Sequence, residues 1–488
     1  MEQKQVQTLK LKPLSKSDFV RGLNCPGELW LRHHDRSRLP VSSEFVQHRM
    51  DQGTVAGKLA KKLFPEGIDI TELGMEKSAA ITKELLPKRK VLFEAAFLFD
   101  NLFSRPDILI PVGKDEWDFI EVKASTEVKK NRHHPEDVAF QKNVYQKAGL
   151  KIRKSFLLLL NNKYVRHGDI DVNQLFFKED LTEIADEIIP TLPNKIAFMR
   201  EILSSPTFPN SQEKNYCEGP KKCEVEECWE FLPESHVFHL YRGGKKSRKL
   251  FEEGVLQLHE IPDEYKLTER QDLQVKCEKS GETYIEKEKI KEFLEKIEEP
   301  LCYLDFETVQ FAIPPFDNSR PWQQIPFQWS LHVGKKHFEY LHDDKDDPRP
   351  AFLRELKKML PSSGSVVTFN ENFELQRLEE LGRDFPEYKE WIDSVLSRVV
   401  DLAVPFSKFW YYNPKQKGSY GLKKVLPAVT GKDYSKLEIQ DGGCAAVKYL
   451  EMISTKDKNI RKSLLAYCGL DTEGMIWIVE KLIKTIQE

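Results

Sequence analysis

Asp305 and Glu307 stand two residues apart in LCYLDFETV, residues 301–309, at the end of a mostly apolar run. The run reads as a strand, and because side chains alternate along a strand, both carboxylates project from one face. Two like charges there repel, so either a cation neutralises them or the strand end lies in water. Further candidates follow: Asn370 and Glu374 in SVVTFNENFELQRLEELG, Asp401 in RVVDLAVPF, and Tyr467 and Asp471 in KSLLAYCGLDTEGMIWIVEKLI. The i, i+4 spacing of the last pair puts them on one helical face. A second set lies upstream. RPDILI carries Asp107, WDFIEVKA carries Glu121 and Lys123 on one face, and DVAFQKNVYQKAG carries Gln141 and Tyr145 one helical turn apart. A third set is made of thiols: Cys217, Cys223 and Cys228 in NYCEGPKKCEVEECW, with Cys25 alone in RGLNCPGELW.

The elements that must position these groups divide the chain in three. Residues 1–235 mix helical and strand patterns, with VLFEAAFLF, DILIPV, WDFIEVKA and SFLLLL as strands and a helix between the last two. Residues 236–298 are highly charged and helical in pattern, as a connector would be, and residues 299–488 return to strands followed by helices. The fold class is α/β. At 488 residues the chain has room for two or three cores. A formal net charge of -3 excludes a global basic field, although local patches remain open. No apolar run reaches the ~20 residues of a membrane span, and MEQKQVQTLKLKPLSK lacks the apolar core of a signal peptide. The expected location is therefore the cytoplasm, where eight cysteines are not disulfides and a cluster of them reads as a metal or redox site.

D-x-E on a strand, then N-x-x-F-acid, then Y-x-x-x-D on a late helix resembles the DnaQ-like exonucleases of the RNase H-like fold, in their tyrosine-bearing branch, over roughly residues 300–480. The resemblance implies that Asp305, Glu307, Glu374 and Asp471 hold two divalent ions, Mg2+ or Mn2+, and that Tyr467 orients the attacking water. Such ions suit hard carboxylate ligands and stabilise the charge that builds on a phosphodiester during hydrolysis. The family's third acid is usually Asp, and here it is Glu374. Asp401 resembles the start of the family's DT-type segment, as a supporting or alternative ligand.

Asp107, E-x-K at Glu121 and Lys123, and Q-x-x-x-Y at Gln141 and Tyr145 together resemble the RecB-type nucleases of the PD-(D/E)XK fold. Asp107 and Glu121 are then metal ligands, Lys123 positions the nucleophilic water, and Glu94 is a weaker candidate. RecB-type enzymes often place a histidine ligand on an early helix. Here Lys61 stands near that place, and His48 lies a turn or more upstream. One early cysteine and a late trio resemble the iron-sulfur subset of these nucleases, including the CRISPR-associated ones, which implies a 4Fe-4S cluster on Cys25, Cys217, Cys223 and Cys228. Zn2+ is the alternative, although C-x5-C-x4-C lacks the C-x2-C knuckle usual in zinc ribbons. The remaining thiols, Cys277, Cys302, Cys444 and Cys468, are scattered and read as ordinary.

YRGGKKSRKLFEEGVLQLHEIP faintly resembles a helix-hairpin-helix element, which would offer Lys245, Lys246 and Arg248 to a phosphate backbone. Trp322, Trp329, Trp410, Tyr411 and Tyr412 are candidates for stacking on unpaired bases, in competition with plain core packing. The pairing of the two domains resembles a bacterial two-nuclease family. The expected protein is thus a metal-dependent nuclease acting on DNA ends or single strands, in repair, recombination or phage defence. The alternatives are an RNA exonuclease, or a nucleic-acid-binding scaffold in which one or both folds are inert.

Overall fold

A computed structural model describes residues 12–488 apart from 71–73, 210–218, 221–222 and 224. The chain is mixed α/β and forms two compact units: Met1–Glu230 with Phe311–Trp322, and Phe231–Gln310 with Gln323–Glu488. Among the described residues, no helix is long and apolar enough to cross a membrane.

The first unit is built on a six-stranded mixed sheet. Its strands lie in the order Ile68–Asp69, Leu92–Phe93, Ile108–Val112, Glu116–Lys123, Lys151–Leu160 and Phe176–Asp180. Glu116–Lys123 runs parallel to Lys151–Leu160, which requires a crossover, and the helix His134–Lys147 supplies it. Trp117 to Glu121 are all buried, because this strand is central and covered on both faces; Glu121 is therefore taken out of water together with its apolar neighbours. The expected VLFEAAFLF strand is two strands. Glu94 takes a left-handed backbone conformation (φ 57°) and breaks the run, so that Leu92–Phe93 joins the large sheet while Phe97–Phe99 pairs with Leu102–Ser104 in a small one.

The second unit holds a five-stranded sheet in the order Lys336–Leu341, Gln324–Val333, Cys302–Gln310, Val366–Thr368 and Val399–Asp401. Neighbours among the first three strands are antiparallel, and the last two join Cys302–Gln310 in parallel. Leu304 and Phe306 point into an apolar core with Trp329, Leu331, Phe352 and Leu378. By the period of two, Asp305 and Glu307 point to the other face, across which the 30-residue helix Lys458–Gln487 packs. Asp457 caps that helix, accepting from Asn459 N at 2.7 Å. Two side chains of the neighbouring strand pin it: Gln328 Nε2 donates to Leu464 O at 2.9 Å, and Ser330 Oγ lies 2.7 Å from Thr472 Oγ1.

Residues 236–298, expected as a connector, fall within this unit. Tyr284–Ile285 pairs with Tyr411–Tyr412, and Tyr241, Cys277, Phe409 and Tyr412 share a small core. The glycine-flanked helix is present as Lys245–Glu252, ended by Gly254 at φ 87°. Lys246 is committed to Lys266 O and Gln271 Oε1, both at 2.8 Å, and Arg248 pairs with Glu252.

Candidate metal centres

In the first unit the sequence-predicted residues converge. Glu121 is 2% exposed and sits at the hub. Lys123 Nζ donates to Glu121 Oε1 at 2.8 Å and to Asp137 Oδ2 at 2.7 Å. Gln141 Nε2 bridges Glu121 Oε2 (2.9 Å) and Asp137 Oδ1 (3.0 Å), while Gln141 Oε1 accepts from Tyr145 OH at 2.7 Å. Tyr145 OH also lies 2.9 Å from Ser104 Oγ. Gln141 and Tyr145 are fully buried, so their work is to hold the carboxylates and Lys123 in place. Asp107 stands just before its strand and accepts from Val122 N at 2.5 Å. Burial first, and then the charge of Glu121, push Asp107 up to about 7, whereas the ammonium groups of Lys123 and Lys16 overcome burial and hold Glu121 down to about 2. Glu94 is raised as well, by burial and then by Glu121 against the pull of Lys61 and Lys16. Lys61 pairs with Asp69 at 2.7 Å, and the His48 ring lies against Phe311 at 6.3 Å. Sequence reasoning missed Asp137, which opens the quoted DVAFQKNVYQKAG stretch, and Lys16, which carried no signal because its partner is 105 residues away.

The second unit brings together Asp305, Glu307, Glu374 and Asp471. Glu307, Glu374, Asp471 and Tyr467 are all buried. The acids act on one another. Burial and then the charges of Asp471, Glu307 and Glu374 raise Asp305 well above the carboxylate range. Glu307 is raised by burial and then chiefly by Asp471. Glu374 is pushed up to about 8, and Asp471 up to about 6, the latter eased by a 2.5 Å hydrogen bond from Tyr434 OH and by Lys423. Glu374 Oε2 is buried with no hydrogen-bond partner. Whereas lysines neutralise the acids of the first unit, no Lys or Arg among the described residues is within ion-pair distance of these four. Buried acids that raise each other's pKa, with an orphaned carboxylate oxygen among them, fit a divalent cation.

Asp305, Glu307 and Cys468 have ligand atoms within 4.8 Å of one another. Cys468, expected as an ordinary thiol, is instead part of this wall: fully buried, with its Sγ donating to Asp305 Oδ2 at 3.4 Å. Asp401 is a positioning group. One of its oxygens accepts from Asn370 N and Ala403 N, both at 2.8 Å, and fixes the turn at Asn370 (φ 70°) that starts the helix bearing Glu374. Lys423 lies 5.0 Å from the centre of the Tyr467 ring. Sequence reasoning singled out neither Lys423 nor Tyr434, since neither carries a local signal. Trp329, Tyr411 and Tyr412 are buried core residues, with Trp329 Nε1 bonded to Phe352 O, so they are not stacking surfaces. Trp322 belongs to the first unit, where its Nε1 donates to Ala124 O at 2.6 Å, and Trp410 is half-buried.

Of the cysteine set, Cys217 lies outside the described residues. Cys25 is half-buried at the start of the helix Pro26–His34, where its Sγ accepts from Glu28 N at 3.3 Å. Cys228 is buried, and the Cys223 thiol faces Val225 O. The distant ends of the unit meet here: Arg38 pairs with Glu227, and Phe208 packs edge-on to Trp30 at 5.7 Å.

Residues 302–421 match a domain of unknown function (DUF2779). The chain is similar to the uncharacterized protein MG366 of Mycoplasma genitalium, 29% identical over 228 residues, covering 39% of this chain and 33% of that protein. It is also similar to the MG366 homolog of Mycoplasma pneumoniae, 26% identical over 229 residues (40% and 34%), and to the uncharacterized protein UU173 of Ureaplasma parvum, 27% identical over 172 residues (32% and 25%). The matched part spans about a third or less of the length of these relatives.

Proposed function

We propose that the protein is a divalent-metal-dependent nuclease with two sites, a RecB-type PD-(D/E)XK site in the first unit and a DnaQ-like exonuclease site in the second. The observation that carries this reading is the convergence of four acids from three separate elements beside Tyr467, with no Lys or Arg among the described residues within ion-pair distance and only the more distant Lys423 and Arg377 to ease them. The sheet order supports it, since three antiparallel strands followed by two parallel ones, with the first acids on the central strand, is the arrangement expected of an RNase H-like domain. In the first unit, the E-x-K strand backed by the Gln141 and Tyr145 helix supports the other half.

Asp305, Glu307, Glu374 and Asp471 would hold Mg2+ or Mn2+ in the second unit, and Asp107 and Glu121 in the first. Bound there, the cations supply charge stabilisation and a lowered water pKa. The protein's own part is positional. The Tyr467 hydroxyl, one turn before Asp471, orients the attacking water; burial and then Glu307 and Asp471 keep that hydroxyl protonated. Lys123, held between Glu121 and Asp137, orients water in the first unit and opposes charge developing on the phosphate. Cys25, Cys217, Cys223 and Cys228 would hold a 4Fe-4S cluster that staples the ends of the first unit. The substrate is DNA, as ends or single strands.

End-labelled single- and double-stranded DNA, with RNA of the same sequence, tests the proposal in Mg2+ and Mn2+. Asp305→Asn and Lys123→Met should each remove one separable activity, and the double variant should remove both. No metal-dependent release from any substrate would leave the scaffold reading, and release that survives the double variant would refute the assignment of both sites.

A further inference from the structure

Lys16 is the charged member of the first unit's polar network, among the described residues, to which the proposed mechanism gives no role. It opens the helix Lys16–Asn24, directly after Ser15, whose backbone pairs with Phe103 and whose hydroxyl caps the helix by accepting from Asp18 N at 3.1 Å. Its Nζ reaches both oxygens of Glu121, at 2.7 and 2.9 Å. Glu121 Oε1 thus accepts from Lys16 and Lys123, and Oε2 from Lys16 and Gln141. An ionised carboxylate has about four lone-pair positions, and here four donor contacts occupy them. A cation that takes Glu121 as a ligand must displace a donor.

The network decides which donor leaves. Gln141 is locked through Asp137 on one side and through Tyr145 and Ser104 on the other. Lys123 has a second carboxylate, Asp137, to stay with. Lys16 has neither, since among the described residues its side chain bonds to Glu121 alone. Its side chain is 21% exposed against 3% for Glu121, so a displaced ammonium has a way out to solvent.

We propose that Lys16 is an exchangeable counter-cation of the first site: it neutralises Glu121 while no divalent ion is bound, competes with that ion for the carboxylate, and so sets a threshold of metal concentration below which this site stays silent. The inference rests on the metal-site reading above and adds a regulatory residue to it. A fixed charge has been traded for a mobile one: the site never leaves Glu121 buried and bare, and the ammonium, once displaced, stays tethered at the mouth on a helix that does not need to move.

The test is Mn2+ binding by the full chain, read by calorimetry at pH 8 with Asp305→Asn and Asp471→Asn silencing the second site. Lys16→Met should bind Mn2+ at least tenfold more tightly than the parent, a change of about 1.4 kcal/mol that one unit-charge contact at an interior dielectric comfortably exceeds. Lys16→Arg, which keeps a charge and a forked donor on Glu121, should bind no more tightly than the parent. Unchanged or weaker binding by Lys16→Met, with Glu121→Gln abolishing binding, overturns the exchange while leaving the metal site standing. Parent-like binding by Glu121→Gln overturns both. If Lys16→Met does not fold without metal, tighter binding by Lys16→Arg is enough to overturn the proposal.

Discussion

Replacing Glu374 by glutamine should make the metal-free protein more stable at alkaline pH and the metal-bound protein less so. Glu374 is 3% exposed, and burial with the charges of Asp401 and Asp471 moves its carboxyl from 4.5 up to about 8. An unfolded chain releases this proton near 4.5, whereas the folded chain holds it until about 8. Between those values the folded state binds more protons, so its stability falls as pH rises. At about 1.4 kcal/mol per pH unit, the full window is worth on the order of 4–5 kcal/mol. Glutamine has no proton to lose and nearly the same volume. In EDTA the two proteins should therefore melt together at pH 5, and Glu374→Gln should melt higher by roughly 10–20 °C at pH 8.5, at the ~2–4 °C per kcal/mol usual for a unit of this size. Mg2+ should reverse the order, because the parent gains binding free energy by mass action and the variant lacks a ligand. Differential scanning fluorimetry over pH 5–8.5, with and without Mg2+, reads all four arms. A variant less stable than the parent in EDTA at pH 8.5, or equal stabilisation of both by Mg2+, would refute the view that Glu374 is an uncompensated buried acid awaiting a cation.

Tyr467→Phe should keep fold and metal affinity while slowing exonuclease turnover by roughly 10²-fold, the scale of one positioned catalytic group. Added Mn2+ should partly rescue Asp471→Ala but not Tyr467→Phe, as turnover against Mn2+ concentration would reveal. Anaerobically purified protein should be brown from thiolate-to-iron charge transfer, and Cys25→Ala should lose the colour and lower the melting temperature of the first unit. Colourless protein with stoichiometric zinc would select the alternative metal. Arg349 is fully buried between Asp347 (2.7 Å) and Asp384 (3.5 Å) under the Phe385 ring, so Arg349→Leu should cost about 3 kcal/mol in urea unfolding by removing a buried cation from between two carboxylates, even though Asp384 keeps Arg383 and Gln323.

The site residues that were legible in the sequence are those whose spacing is local. Asp305 with Glu307, Glu121 with Lys123, Gln141 with Tyr145 and Tyr467 with Asp471 each share a face by backbone periodicity alone, and each pair is found together. Groups recruited across the chain gave no such sign. Lys16 reaches Glu121 only because the Leu14–Ser15 strand pairs with Leu102–Phe103, and Tyr434 reaches Asp471 across 37 residues. Cys468 was visible but not interpretable, because nothing local says that its helix face meets Asp305. The aromatic residues failed for a different reason: Trp329 and Tyr412 have the same composition whether they stack on a base or fill a core, and packing alone decides. The break at Glu94 is likewise a backbone event inside an otherwise continuous apolar run.

The short segment Phe311–Trp322 bears on how this protein comes off the ribosome. Ala312 is fully buried in a core cluster with Phe93, Ile108, Ile120 and Leu158, Ile313 and Trp322 pack against that cluster, and Ala312 N donates to Gln52. A nascent chain that has emerged only as far as residue 235 holds the whole of the large sheet but lacks the residues that close it. The first unit therefore cannot be completed until the first strand of the second has already been synthesised. Any dissection by truncation inherits the same constraint: a fragment ending at residue 235 carries an open apolar face and should aggregate unless residues 311–322 are supplied in trans or grafted on through a linker.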